Sequence, residues 1–134
     1  MSSSSFTMSF TAAPEDIDIN GHVNNAVWVR WMEEVATTHW NSIADEAHRE
    51  AYAWFVTRHE IDYRGNIVEG ETTEATTEIG KAPTGARFER RTTFRNAEGK
   101  PIVRAVTSWA MIDRSTGKIM RVPKDVAAQF VPKA

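Results

Sequence analysis

Only one stretch of this chain repeats its apolar residues at helical spacing for several turns. From Asn25 to about Ala47, the residues Trp28, Trp31, Met32, Val35, Ala36 and Ile43 gather on one broad face of a helical wheel. Downstream, four segments read as strands, at about 53–64, 71–80, 86–97 and 101–113. They are separated by Gly65-Asn66, Pro83-Thr84-Gly85 and Asn96-Ala97-Glu98-Gly99, which are turn chemistry. Upstream, Phe6 to Ala13 reads as a first strand that Pro14 stops. One long helix among short-linked strands predicts an α+β domain, a curved antiparallel sheet wrapped around one central helix.

The 71–80 segment alternates clearly. Thr73, Ala75, Thr77 and Ile79 face one way, and Thr72, Glu74, Thr76 and Glu78 the other, so one face of that strand meets solvent. Ala105 to Ile112 is apolar at nearly every position, which predicts cover on both faces, by the helix and by another subunit. A sheet with a single helix has one internal cover, so the plan predicts a homodimer or homotetramer. Ser2 to Ser5 is a polar leader, and residues 1–5 are expected to be disordered. Asp113-Arg114-Ser115-Thr116-Gly117 turns the chain, and Asp125 to Phe130 is expected to form a last helical turn. The 134 residues predict one domain that buries about two thirds of its unfolded surface.

Composition narrows the chemistry. There is no cysteine, which excludes disulfides, a thiolate nucleophile and thiolate metal sites. No apolar run approaches the roughly 20 residues of a membrane helix, and no signal peptide is apparent, so the expected compartment is the cytoplasm, with no membrane partner. Charge is segregated: residues 15–80 carry 14 acidic and 4 basic side chains, whereas residues 81–104 carry 7 basic and 2 acidic. Within the second block Lys81, Arg87, Arg90, Arg91, Arg95, Lys100 and Arg104 form a candidate patch for phosphates or an acidic carrier protein. The alternative is a solvated strand face paired with acidic neighbours. An acidic domain without a binding motif argues against nucleic acid.

The chemistry concentrates just before the helix. Asp16-Ile17-Asp18-Ile19-Asn20-Gly21-His22-Val23-Asn24-Asn25-Ala26 packs carboxylates, an imidazole and carboxamides into one turn. Asn24 or Asn25 suits the helix N-cap, which aims the positive helix end at this loop. Backbone N–H groups there can stabilise an oxyanion, and a carboxylate a few residues upstream can orient water or attack directly. Asp18 is the first candidate, against its alternative as a turn-forming Asx residue. Gly21 supplies the positive φ or close approach the turn needs.

This run, followed by Trp28 and Trp31-x-Glu33-Glu34, resembles the hotdog-fold acyl thioesterases. These include the 4-hydroxybenzoyl-CoA thioesterase-like enzymes and, through His-Val-Asn-Asn, the long-chain acyl-CoA and plant acyl-ACP thioesterases. The likeness continues weakly through Ile61-Asp62-Tyr63-Arg64, Gly70-Glu71 and Ile112 to Gly117, as far as Arg121-Val122-Pro123. It implies the hotdog fold and hydrolysis of an acyl thioester, first of all an acyl-CoA, at a dimer interface, with Asp18 as general base or nucleophile. Asn20 and His22 match positions that the plant enzymes use in catalysis, the alternative being that they only hydrogen-bond the loop. Val23, Asn24 and Asn25 would form the oxyanion-stabilising helix N-terminus, and Lys81, Arg87 and Arg91 would meet the CoA phosphates. No metal or separate cofactor is expected, since coenzyme A enters as part of the substrate. The alternatives are an acyl carrier protein substrate or a silent acyl-CoA-binding module. The chain departs from the pattern at Trp28, where relatives often place Tyr, and at Asn66, where the plant enzymes carry an acid. Glu33 and Glu34 are rivals to Asp18, since another branch uses a carboxylate on the central helix. Their position off the apolar stripe favours solvent. His39 lies within that stripe and reads as a core histidine, while His48 and His59 lack acidic partners at metal spacing.

Overall fold

The computed structural model describes residues 4–130. Strand β1 (Ser5–Thr11) leads through a 3-10 turn (Pro14–Asp16) and the polar loop into α1 (Asn25–Ile43), followed by a short α2 (Glu46–Ala51). The strands β2 (Tyr52–Tyr63), β3 (Thr72–Glu78), β4 (Arg87–Arg95), β5 (Pro101–Asp113) and β6 (Lys118–Ile119) come next, and α3 (Lys124–Phe130) closes the chain. All the strands join one sheet in the order β1-β3-β4-β5-β2, with β6 on β5, and every pairing is antiparallel. β1 and β2 are therefore its edges.

The helix covers the concave face. α1 buries Val27, Trp28, Trp31, Met32, Val35, Ala36, His39 and Trp40, so the apolar stripe of the sequence is the stripe that packs. The alternation in β3 also holds, with Thr73, Ala75, Thr77 and Ile79 buried. Two apolar clusters result. One surrounds the first half of α1 with Phe10, Phe94 and Val103, while the other gathers Trp40, Phe88, Met111, Val126 and Phe130 around its far end. On the convex face of β5, Arg104 is exposed and Val106, Ser108 and Ile112 are half-buried. Gly65 passes so close to β5 that a Cβ there would sit 2.9 Å from Ile102 Cγ2.

Two expectations are corrected. Of the supposed disordered leader, residues 1–3 lie outside the described residues, but Ser4 is buried and Ser5 opens β1. The cause is long-range: the Ser4 carbonyl accepts the Ile79 N–H at 2.8 Å, and Ser5 stands opposite Glu78. The long helix stops at Ile43 rather than Ala47, because Ala44 turns extended and Asp45 caps a new helix, its carboxylate accepting the His48 N–H at 2.7 Å.

Candidate active site

The polar loop folds as a small hairpin standing on the N-terminus of α1. Ile17 and Val23 form an antiparallel bridge, the Asp18 N–H donates to His22 O at 2.9 Å, and the Gly21 N–H donates to Asp18 O at 3.0 Å. Gly21 takes φ 80°, which closes the turn without a Cβ penalty. Backbone bonds thus bring Asp18, Asn20 and His22 to one tip. Asp18 is half-buried, Asn20 and His22 are exposed, and Ile19 projects fully into solvent. Asp18 Oδ1 accepts the Asn20 N–H at 2.9 Å, an Asx turn, while Oδ2 has no partner among the described residues. The same side chain thus builds the turn and presents one open carboxylate oxygen.

Asp16 anchors this hairpin. Its carboxylate is buried, accepting the Ala13 N–H at 2.9 Å and an Arg30 guanidinium N–H at 2.8 Å. These bonds, the backbone one foremost, hold its carboxyl below the usual carboxylate range. Its carbonyl also accepts the Asn24 N–H at 3.0 Å.

The helix N-terminus is more committed than its sequence implies. Asn24 is the N-cap, its Oδ1 accepting the Ala26 N–H at 2.9 Å, and its carbonyl takes the Val27 and Trp28 N–H groups. The Val23 N–H donates to Ile67 O at 3.2 Å. With the Val23 and Asn24 amides engaged in folding the loop, Asn25 alone of the three holds a backbone N–H without an acceptor among the described residues. Asn66 ties the hairpin to the segment after β2. Its Nδ2 donates to Val23 O at 3.1 Å and its Oδ1 accepts the Ile67 N–H. Tyr63 Oη donates to Asn25 O at 3.3 Å, and burial pushes the Tyr63 phenol up.

The other candidates fall elsewhere. Glu33 and Glu34 are exposed, although Glu33 lies 3.7 Å from His59 Nε2, whose Nδ1 is 2.8 Å from Thr107 Oγ1. His48 contacts Asp125 at 3.0 Å, tying α2 to α3. Among the described residues no three His, Asp or Glu side chains converge as metal ligands. Arg87, Arg91 and Arg95 alternate to the convex face of β4, and Lys81 and Arg91 both approach Glu89, at 3.5 and 4.0 Å. Arg90 does not share that face. It points inward with Phe88, Thr92 and Phe94, is 6% exposed, and donates to His39 Nδ1 at 2.8 Å and Thr77 Oγ1 at 3.0 Å. A guanidinium only donates, so His39 accepts on Nδ1 and its proton sits on Nε2. Burial pushes Arg90 down to about 10, which still leaves it charged at neutral pH.

Arg90 lines a cavity of about 350 Å³ between the second half of α1 and the sheet, walled by Trp40, Trp54, Phe88, Trp109 and Phe130, with Arg49 and Arg114 also on its lining. The cavity and the Asp18 hairpin lie at opposite ends of α1. Sequence reasoning missed the place of Arg90 on this cavity, although the period-two pattern of β4 carried the signal.

An antiparallel sheet curled around a central helix, with a polar hairpin at the helix N-terminus, is the hotdog fold. The chain belongs to the thioesterase-like superfamily, whose family model matches residues 12–130. An acyl-[acyl-carrier-protein] hydrolase of Cuphea viscosissima chloroplasts is 21% identical over 137 residues, covering 96% of this chain and 33% of that enzyme. The chain thus spans about a third of the length of that relative. Among solved structures, an acyl-ACP thioesterase from Bacteroides thetaiotaomicron matches with a TM-score of 0.83 at 22% identity, over 100% of this chain and 57% of that one. A Staphylococcus aureus protein solved in complex with CoA matches with a TM-score of 0.82 at 20% identity, over 96% and 83% of the two chains. No helix among the described residues is long and apolar enough to cross a membrane.

Proposed function

We propose that the protein hydrolyses an acyl-CoA thioester, with Asp18 at the reacting centre. The observation that carries this is the hairpin that sets a carboxylate with one open oxygen beside a helix N-terminus whose Asn25 amide is uncommitted. Water adds to the thioester carbonyl while Asp18 takes its proton. The oxyanion forms towards the Asn25 N–H and the helix dipole, preorganised donors of a kind worth ~3 kcal/mol to a transition state. The C–S bond then breaks, and the CoA thiolate takes up the proton to leave as free thiol beside the carboxylic acid. Asp18 acts either as this base or as a nucleophile whose acyl anhydride water then opens. Asn20 and His22 flank it on the tip and order the water or the carbonyl.

The unit that works is a homodimer. β2 is a 12-residue edge strand whose Phe55 and Tyr63 are exposed, and such an edge invites a further strand. Antiparallel pairing of two β2 strands about their middle sets Tyr52 of one copy near Tyr63 of the other. That brings the Asp18 hairpin of one subunit towards the aromatic cavity of its partner. Lys81, Arg87 and Arg91 supply the convex basic face for the CoA phosphates, with Glu89 offsetting part of that charge. The same basic face also suits an acidic acyl carrier protein, the second reading, which the relationship to an acyl-carrier-protein hydrolase favours.

Free-thiol release from short, medium, long and aromatic acyl-CoAs, and from an acyl carrier protein ester, tests both. Asp18→Asn is expected to lower turnover by about 10²–10⁴-fold with the fold intact. Unchanged turnover would remove Asp18 from the mechanism. Turnover confined to the carrier-protein ester would replace the CoA reading. In single turnover in ¹⁸O-water, a first product without label identifies a nucleophilic Asp18 whose anhydride water opens at the Asp18 carbonyl, since Asp18 then hands its own oxygen to that product.

A further inference from the structure

Two charged side chains are buried among the described residues, Asp16 and Arg90. Asp16 has its arginine. Arg90 has no carboxylate partner there: both of its hydrogen bonds leave from one nitrogen, Nη1, and end on a neutral imidazole and a hydroxyl. The ring of Phe130 lies 5.8 Å from its guanidinium carbon. The Nε and Nη2 donors, the edge that grips a carboxylate through two parallel bonds, have no acceptor among the described residues. A buried charge without a counter-ion is held at considerable cost. Here it lines a cavity of about 350 Å³, within the range of small-molecule sites, whose described lining holds two further arginines and no acid. The rings of Trp40, Trp54 and Phe88 line the same cavity as the guanidinium and offer apolar surface to the rest of such a ligand.

We propose that this cavity binds a carboxylate on Arg90, so that the acyl group preferred by the enzyme carries a carboxylate at the end remote from its thioester. The second half of the statement rests on the thioesterase reading above; the first does not. An uncharged acyl terminus leaves the Nε and Nη2 donors of Arg90 without an acceptor. A carboxylate of the same shape completes its bonds, and a site built to pair a polar group discriminates strongly against the analogue that lacks it.

Benzoate and benzamide share size and shape and differ in charge. Each is titrated into the full-length protein, with binding read from tryptophan fluorescence, because Trp40 and Trp54 line the cavity. Benzoate is expected to bind at least about tenfold more tightly than benzamide. Arg90→Met should abolish that ratio and Arg90→Lys reduce it, with circular dichroism and thermal melting reporting whether each variant folds. Should the Met variant fail to fold, the Lys variant and the wild-type ratio carry the test. Equal binding of the two probes, or a ratio undiminished in Arg90→Lys, overturns the proposal, as does inorganic phosphate displacing benzoate at equal concentration. In a second arm, 4-carboxybenzoyl-CoA is compared with 4-methylbenzoyl-CoA. A kcat/KM at least about tenfold higher for the carboxylate, lost in Arg90→Met, supports the substrate class. Benzoate selectivity without turnover of these esters or of any ester in the wider panel refutes the hydrolase reading and leaves the Arg90 site standing. Equal turnover of both esters without benzoate selectivity does the reverse.

Discussion

Replacing Asp16 with alanine removes the anchor of the hairpin, and the structure sets the size of the loss. Two bonds go, the one from the Ala13 N–H and the one from Arg30. The Arg30 side chain is 59% exposed, so its ion pair is worth ~1 kcal/mol or less in water. The bond from the Ala13 amide to a buried carboxylate is worth more, ~1.5–3 kcal/mol, and its loss leaves a part-buried N–H unpaired. We expect Asp16→Ala to destabilise by ~2–3 kcal/mol, lowering Tm by about 8–12 °C for a domain of this size. Arg30→Ala should cost ~1 kcal/mol at most. Urea unfolding of both variants and their double mutant measures this. Equal losses for the two single variants would refute the assignment of the anchor to the backbone bond. The pH dependence has a definite sign. Because the folded carboxyl is held below its ordinary value, its stabilisation is complete above that value, near 4, and is lost as pH falls through the folded value. The gap between wild type and Asp16→Ala should therefore be level from about pH 5 to 8 and narrow towards pH 3.

Two glycines separate conformational from steric cost. Gly21→Ala meets no atom within 4 Å and is strained only by φ 80°, so a loss of ~1 kcal/mol is expected, whereas Gly65→Ala drives a Cβ against Ile102 and should cost more; thermal melts that rank them in the opposite order would contradict this. Glu33→Gln should leave turnover within about threefold of wild type if the hairpin holds the catalytic carboxylate, and a loss as large as that of Asp18→Asn would move the chemistry to α1. Charge reversal of Arg87 and Arg91 should raise KM for CoA esters with little change for short synthetic thioesters; equal effects on both would leave the convex face without a role in CoA binding. Phe55→Glu on the β2 edge should yield a monomer in size-exclusion chromatography, with turnover lost alongside.

The parts of the molecule that follow a local period were legible. Trp28, Trp31, Val35 and Ala36 mark the packed stripe of α1, and Thr73 to Ile79 the buried face of β3, because each signal is carried by residues a few positions apart. Contacts across the chain were not. Ser4 and Ser5 read as a loose leader because only Ile79 and Glu78, far along the sequence, show that they are paired. The bond from Arg30 to Asp16 leaves no mark in either neighbourhood. Arg90 is a different case. Its basic neighbours make it read as part of a surface run, yet it shares parity with Phe88, Thr92 and Phe94, and charge overrides a pattern that is present. Within the hairpin the residue types were readable, but not the commitment of the Val23 and Asn24 amides, which depends on Ile67 and Asp16 folding against them.

The two apolar clusters along α1 give the halves of the helix different roles. The first holds the hairpin in place through Val23, Val27 and Trp28, while the second, with Trp40, Phe88 and Phe130, supplies walls of the cavity. Substitutions that reshape the cavity therefore fall at a distance from the packing that fixes Asp18. A lineage built on this plan can change the shape of the cavity in small steps, each tolerated, without disturbing the hairpin. For the same reason, if the proposed hydrolysis holds, libraries randomised at Trp40, Trp54 and Phe88 are the place to begin changing what the cavity accepts.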